Sequence, residues 1–207
     1  MTRLYLVRHG AVEGDTGRVM GHHDLPLSAA GTAQIEALAA TWTGRPPDRL
    51  FASDLARAAD SARLLAARFG TPVTLDPRLR ELSFGAWEGR LWDDVHQTDR
   101  ELLATWGERW WEAAPPGGET FDQLAARVQS WYRELREGEV AVAVAHAGSL
   151  RVLLAELQGL PRDQIFEIRL DHAHVSAVEV TGGRGRVLFV NQKTLTHLAP
   201  TLQPSRA

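Results

Sequence analysis

Along this chain the spacing of apolar residues switches repeatedly between a period of two and a period of about 3.6. Thr2 to Val7 alternate and predict a first strand, followed at once by Arg8-His9-Gly10. Over residues 28–42, Ile35, Leu38 and Ala39 fall on one helical face. Ser28, with Pro26 before it, is the expected N-cap of that helix, and Gly31 is a weak residue for its first turn. Arg45-Pro46-Pro47 breaks the chain ahead of a short apolar strand, Leu50-Phe51-Ala52. Asp54 is the expected cap of a second helix running through Leu64 and Leu65 to Phe69, where Gly70 and Pro72 end it. Val73 and Leu75 mark another strand.

Further on, Thr120-Phe121-Asp122-Gln123 has the form of a capping box and opens a helix predicted to reach Arg136 before Gly138. Val140 to Ala145 is an unbroken apolar run, as a strand covered on both faces requires, and His146 follows it ahead of another helix. Val175 to Val180 and Arg186 to Val190, joined through Thr181-Gly182-Gly183-Arg184-Gly185, read as an antiparallel edge hairpin. The repeated strand–helix order predicts an α/β fold: a three-layer α/β/α sandwich with a mostly parallel sheet. Such sheets take their ligands at the carboxyl ends of the strands. His9 after the first strand, Arg57 in the first helical turn after the Phe51 strand, and His146 after the Val140 strand are thereby expected at one edge.

Between residues 83 and 118 the alternation lapses. This stretch holds Trp87, Trp92, Trp106, Trp110 and Trp111, five of seven tryptophans, in two short helix-like segments that end in Pro115-Pro116-Gly117-Gly118. It is read as a small helical cap over that edge of the sheet, most of its rings being the core of that lobe. Residues from Leu195 onward, and 198–207 above all, read as a loosely attached tail. The remainder is expected to be one domain.

Composition narrows the partners. With 207 residues, 44% apolar and 24% charged, the chain is an ordinary globular protein, and a net charge of -3 offers no basic stripe for nucleic acid or anionic lipid. No cysteine is present, which removes thiol catalysis and disulfides and agrees with the cytoplasm. The first strand begins within two residues of Met1 and no apolar run approaches a membrane span, so neither export nor insertion is expected. A monomer or homodimer is the expected assembly.

A guanidinium suits a phosphate or carboxylate, and a neutral imidazole can be a nucleophile, a base or a metal ligand. His22-His23-Asp24 and His172-Ala173-His174 are the clusters that could suggest a metal, but neither has a carboxylate at convincing spacing, and turn or surface histidines are the expected outcome. No metal and no cofactor are expected.

Five blocks taken in order carry more. Leu6-Val7-Arg8-His9-Gly10, Gly21-His22-His23-Asp24-Leu25-Pro26-Leu27-Ser28, Ser53-Asp54-Leu55-Ala56-Arg57, Arg80-Glu81-Leu82 and Ala145-His146-Ala147-Gly148 together resemble the histidine phosphatase superfamily, the phosphoglycerate-mutase-like proteins, over nearly the whole chain. The resemblance implies that His9 is the nucleophile and becomes a phosphohistidine, that Arg8, Arg57 and His146 bind the phosphoryl oxygens, and that no metal takes part. It also implies that Glu81 is the general acid and base; the alternative is a solvated carboxylate paired with Arg80. Gly21, His22 and Ala147 are further candidates for substrate contact. Asp15 stands where relatives place an asparagine, and its carboxylate would repel a phosphate unless protonated or paired.

Water is expected as acceptor rather than a second phosphoglycerate. The alternative is a cofactor-dependent phosphoglycerate mutase, but the cap region offers only Arg90, Arg100 and Arg109 as cations. Residues 84–89 and 115–120 are similar to bacterial α-ribazole phosphatases, which implies α-ribazole 5'-phosphate as a candidate small-molecule phosphomonoester. A catalytically silent phosphate-binding module is the non-enzymatic reading, disfavoured because the nucleophile, both arginines, the second histidine and the acid are all present.

Overall fold

The computed structural model describes residues 1–43 and 45–195. Its centre is a six-stranded sheet in the order β3-β2-β4-β1-β5-β6, with β1 at Thr2–Arg8, β2 at Arg49–Ala52, β3 at Val73–Leu75, β4 at Val140–Ala145, β5 at Val175–Thr181 and β6 at Arg184–Gln192. The β1–β4, β2–β4 and β2–β3 pairs are parallel, while β5 is antiparallel to both β1 and β6. The mostly parallel sheet with an antiparallel edge hairpin follows the sequence pattern. The hairpin is longer than expected, because β6 continues to Gln192 past an irregularity in its pairing.

Side-chain alternation builds the layers. Leu4, Leu6, Ala141, Ala143 and Ala145 point to one face, where they pack against Phe121, Leu124, Val128 and Trp131 of α5 (Phe121–Tyr132) and Leu150, Leu153 and Leu154 of α6 (Ala147–Gln158). Tyr5, Val7, Val142 and Val144 point to the other, against Ile35 and Leu38 of α1 (Ala29–Ala40) and Ala58, Ala62 and Leu65 of α2 (Ala56–Phe69). Both faces of β1 and β4 are therefore dry, which is why the sequence of β4 is apolar without interruption.

Helix starts follow the sequence with one exception. Ser28 accepts from the Gly31 N–H and caps α1, and the Thr120–Gln123 box caps α5. Asp54 does not cap α2: Leu55 holds the N-cap position, Asp24 accepts from the Ala56 N–H at 2.8 Å, and the Asp54 carboxylate is taken by Arg80. A long-range guanidinium outcompeted a local backbone amide. Helices α1 and α5 end at Ala40 and Tyr132, short of the Trp42 and Arg136 expected. Gly31 has a tertiary reason: a Cβ there would lie 2.0 Å from the Ala11 carbonyl oxygen, so only glycine lets α1 sit against the chain that leaves β1.

Residues 83–118 form short helices, among them α3 (Trp92–Thr98) and α4 (Arg100–Glu108). Trp87 is fully buried with Val19 and Val95, and Trp92 and Trp106 pack on that cluster. Trp110 and Trp111 pack instead on the α5–α6 side of the main core. This lobe is tied to the loop after β1: Val19 N–H donates to Arg90 O and Trp92 N–H to Gly17 O. Leu195, expected in a loose tail, is 2% exposed, packs in the α1–α2 core and accepts from the Thr43 hydroxyl. The tail expected at 198–207 lies outside the described residues. Among the described residues no helix is long and apolar enough to cross a membrane.

Candidate active site

The carboxyl ends of β1, β2 and β4 open side by side, and each delivers one group. His9 leaves β1 with its N–H on the Ala145 carbonyl of β4, and its side chain is buried. Its Nδ1 lies 2.7 Å from the Gly10 carbonyl oxygen. A carbonyl can only accept, so Nδ1 carries the proton and Nε2 keeps its lone pair. Burial first, and the Arg57 charge second, hold this imidazole well below its ordinary pKa, the Gly10 bond opposing them. The ring is neutral at neutral pH.

Two guanidiniums and a second imidazole surround it. Arg57, 1% exposed in the first turn of α2, is fixed by carbonyls of the preceding loop, with Nη2 2.7 Å from Gly21 O and Nη1 3.0 Å from His23 O. Arg8 donates Nη1 to Leu170 O at 2.6 Å, while its Nε is buried with no partner among the described residues. Burial lowers the pKa of both arginines, which nevertheless stay charged. His146, at the N-cap of α6, is completely buried with its ring 5.0 Å from that of His9. Neither of its ring nitrogens has a partner among the described residues. Burial and then Arg57 hold it well below its ordinary pKa, so it offers one N–H donor and one acceptor. Buried polar atoms without partners are rare, because each costs about 1–3 kcal/mol, and Arg8 Nε and both His146 ring nitrogens are three of them beside one imidazole.

Glu81 lies close enough for its charge to act on both Arg8 and Arg57. Its Oε2 accepts from the Gly148 N–H at 3.0 Å and its Oε1 from the Leu82 N–H at 2.8 Å. Arg80 is not its partner, being bound to Asp54 at 2.7 and 2.5 Å. The fit is close: a Cβ on residue 148 would lie 2.0 Å from Glu81 Oε1. The Glu81 carbonyl is gripped by His22 Nε2 at 2.8 Å and by Arg127 Nη2 at 2.7 Å. Arg127 also donates to the carbonyls of Arg78 and Arg80 and pairs with Glu119.

The other candidates divide. Gly21 supplies a carbonyl to Arg57, and His22 turns its Nε2 to the chain rather than outward. Ala147 opens α6, where the N–H of the next residue is already taken by Glu81. Asp15 is partly buried in the loop after β1, and its charge acts on Arg8 and His172. His172 sits in a turn, as expected, but neither it nor His174 is a free surface side chain: both are half-buried, the His172 ring packs 5.2 Å from that of His9, and His174 Nδ1 donates to the His172 carbonyl. Among the described residues no group of three or more His, Asp and Glu is arranged to hold a metal ion.

Sequence reasoning missed two residues. His172 arrives because β5 is antiparallel to β1, so that the start of β5 lies at the end of β1; an antiparallel edge predicted beside the first strand would have signalled it. Arg127 gave no signal, since a helical arginine is ordinarily solvated.

The histidine phosphatase superfamily (branch 1) matches residues 4–193. The adenosylcobalamin/alpha-ribazole phosphatase of Escherichia coli (strain K12) is 32% identical over 197 residues, covering 93% of this chain and 97% of that protein. The glucosyl-3-phosphoglycerate phosphatase of Mycolicibacterium vanbaalenii is 36% identical over 174 residues, covering 78% and 76%. The crystal structure of the alpha-ribazole phosphatase from Shigella flexneri superposes with a TM-score of 0.86 at 31% identity, covering 93% of this chain and 98% of that one. With a buried neutral histidine among unpartnered donors and a match across nearly its whole length, this chain belongs to the histidine phosphatase superfamily.

Proposed function

We propose that this phosphatase hydrolyses a small phosphomonoester through a phosphohistidine on His9. The observation that carries the reading is the His9 ring, neutral, with Nδ1 committed to Gly10 and Nε2 free. In the proposed first step Nε2 attacks phosphorus, the P–O ester bond breaks, and Glu81 gives its proton to the leaving oxygen. In the second, Glu81 takes a proton from water as that water attacks phosphorus. The P–N bond then breaks and orthophosphate leaves. Arg8, Arg57 and His146 meet the equatorial oxygens, where charge builds in the transition state.

For the leaving group we propose an uncharged aromatic nucleoside, with α-ribazole 5'-phosphate as the first substrate to try. Phe84 would touch a Cβ placed on Gly21, so it stands beside the loop that holds Arg57. Trp92 and Trp106 each pack 5.6 Å from Phe84, continuing an aromatic wall from there. Hydrolysis is favoured over mutase chemistry because two of the three cap cations are already paired among the described residues, Arg90 with Asp99 and Arg109 with Glu112, leaving only Arg100 to meet a second charged group. The cysteine-free sequence supports placing the reaction in the cytoplasm.

The test is hydrolysis of p-nitrophenyl phosphate with EDTA present, wild type beside His9→Ala, with acid quench for labelled protein. Activity that survives chelation, and label lost with His9, are the expected results. A His9→Ala enzyme that keeps turnover would overturn the reading.

A further inference from the structure

Resting on this reading of the site as a phosphoryl pocket, we propose that His172 is a further phosphoryl ligand, donating an imidazole N–H to a non-bridging oxygen. Its ring lies 5.2 Å from that of the nucleophile, almost the spacing of His146 at 5.0 Å. No hydrogen-bond partner for either ring nitrogen exists among the described residues, whereas His22 and His174 both spend a ring nitrogen on a carbonyl. The groups whose charges reach it are Arg8, Arg57, Asp15 and Asp171. Partial burial, and then Arg8, lower its pKa to about 4, so at neutral pH the ring is uncharged and carries one N–H donor.

The turn that carries His172 is held against backbone strain. Ala173 has a φ of 55°, a left-handed conformation that residues with a Cβ rarely adopt. Its N–H lies 3.1 Å from both the Arg8 and the His9 carbonyl oxygens, so the strained residue is bonded to the nucleophile's own backbone. Arg8 Nη1 grips Leu170 O, the Asp171 N–H donates to Asn191 Oδ1 at 2.7 Å, and Asn191 Nδ2 returns to Asp171 Oδ2 at 3.0 Å. Asn191 is itself left-handed at φ 59°. Strain sustained by so many bonds is the pattern of a site that fixes one side chain. A spacer for the His9 ring would need no free ring nitrogens.

The test compares His172→Phe, which keeps the ring, with His172→Asn, which keeps a donor. Orthophosphate affinity is measured by titration calorimetry, and kcat and KM with p-nitrophenyl phosphate. The expected result is orthophosphate binding weakened about tenfold or more in the Phe variant and largely restored in the Asn variant, both unfolding at the wild-type temperature. A Phe variant that binds orthophosphate like wild type overturns the inference alone, as does an Asn variant as impaired as Phe. A wild type that binds no orthophosphate overturns the phosphoryl reading, and this inference with it.

Discussion

Replacing Gly148 by alanine should separate the proton-transfer role proposed for Glu81 from the rest of the site. The added Cβ would sit 2.0 Å from Glu81 Oε1 and 3.1 Å from its Cδ. Ordinary contact requires about 3.4 Å or more, so the carboxylate must move by roughly 1.4 Å, losing the 3.0 Å bond from the Gly148 N–H to Oε2. The obstacle is the end of a flexible side chain, and residue 148 lies in the first turn of α6, where alanine is favoured over glycine by up to about 1 kcal/mol. The fold should survive. Misplacing a reacting group by about 1 Å costs on the order of 100-fold, and general acid catalysis is worth about 10²–10⁴. The variant should therefore lose about 100-fold in kcat/KM toward an alkyl phosphate, whose alkoxide must be protonated. Toward p-nitrophenyl phosphate, whose leaving group departs without that proton, it should lose less than about tenfold. Measuring both substrates on one preparation, with circular dichroism to check α6, decides the matter. Equal losses for both would show that Glu81 is not the acid or that residue 148 does not set its position.

Three further outcomes are expected. Arg57→Lys should lower kcat/KM by about 10²–10³-fold, because a single ammonium cannot satisfy Gly21 O and His23 O and still meet phosphate with a fork; rates within a few-fold of wild type would remove Arg57 from the phosphoryl contacts. Arg127→Met should leave orthophosphate affinity near wild type while slowing alkyl phosphates more than p-nitrophenyl phosphate, since Arg127 holds the chain at Arg78, Arg80 and Glu81; an effect on affinity alone would contradict that positioning role. Stability should fall as pH drops from about 6.5 toward 4. His172 titrates near 4 in the fold while the unfolded chain takes up its proton near 6.5, and His9 and His146 are shifted the same way. For His172 the ceiling is about 3 kcal/mol, reduced by solvent screening, and it is fully present only above pH 6.5; urea unfolding that is flat between pH 4.5 and 7 would refute this.

The positions of His9, Arg57 and His146 were legible from local pattern alone. Each follows an apolar strand, and parallel βα units carry such residues to a common edge whatever the loops between them do. The Ser28 and Thr120 caps were equally legible, since a cap acts over three residues. Where a local rule met a distant competitor it failed. Asp54 had the spacing of an N-cap, but Arg80, 26 residues on, offered two charge-assisted bonds in place of one neutral amide.

What only the tertiary structure decided lies at larger separations. The Gly148 N–H that holds Glu81 is 67 residues away in the chain, and the Arg127 side chain that holds the Glu81 carbonyl is 46 residues away. His172 reaches His9 through the antiparallel pairing of β5 with β1, and Leu195 joins the core by packing on α1 and α2. Periodicity and capping record what a residue does with neighbours a turn or a pleat away. The chemical elements of the site are therefore written along the chain, but their orientation depends on contacts that exist only once the sheet has closed.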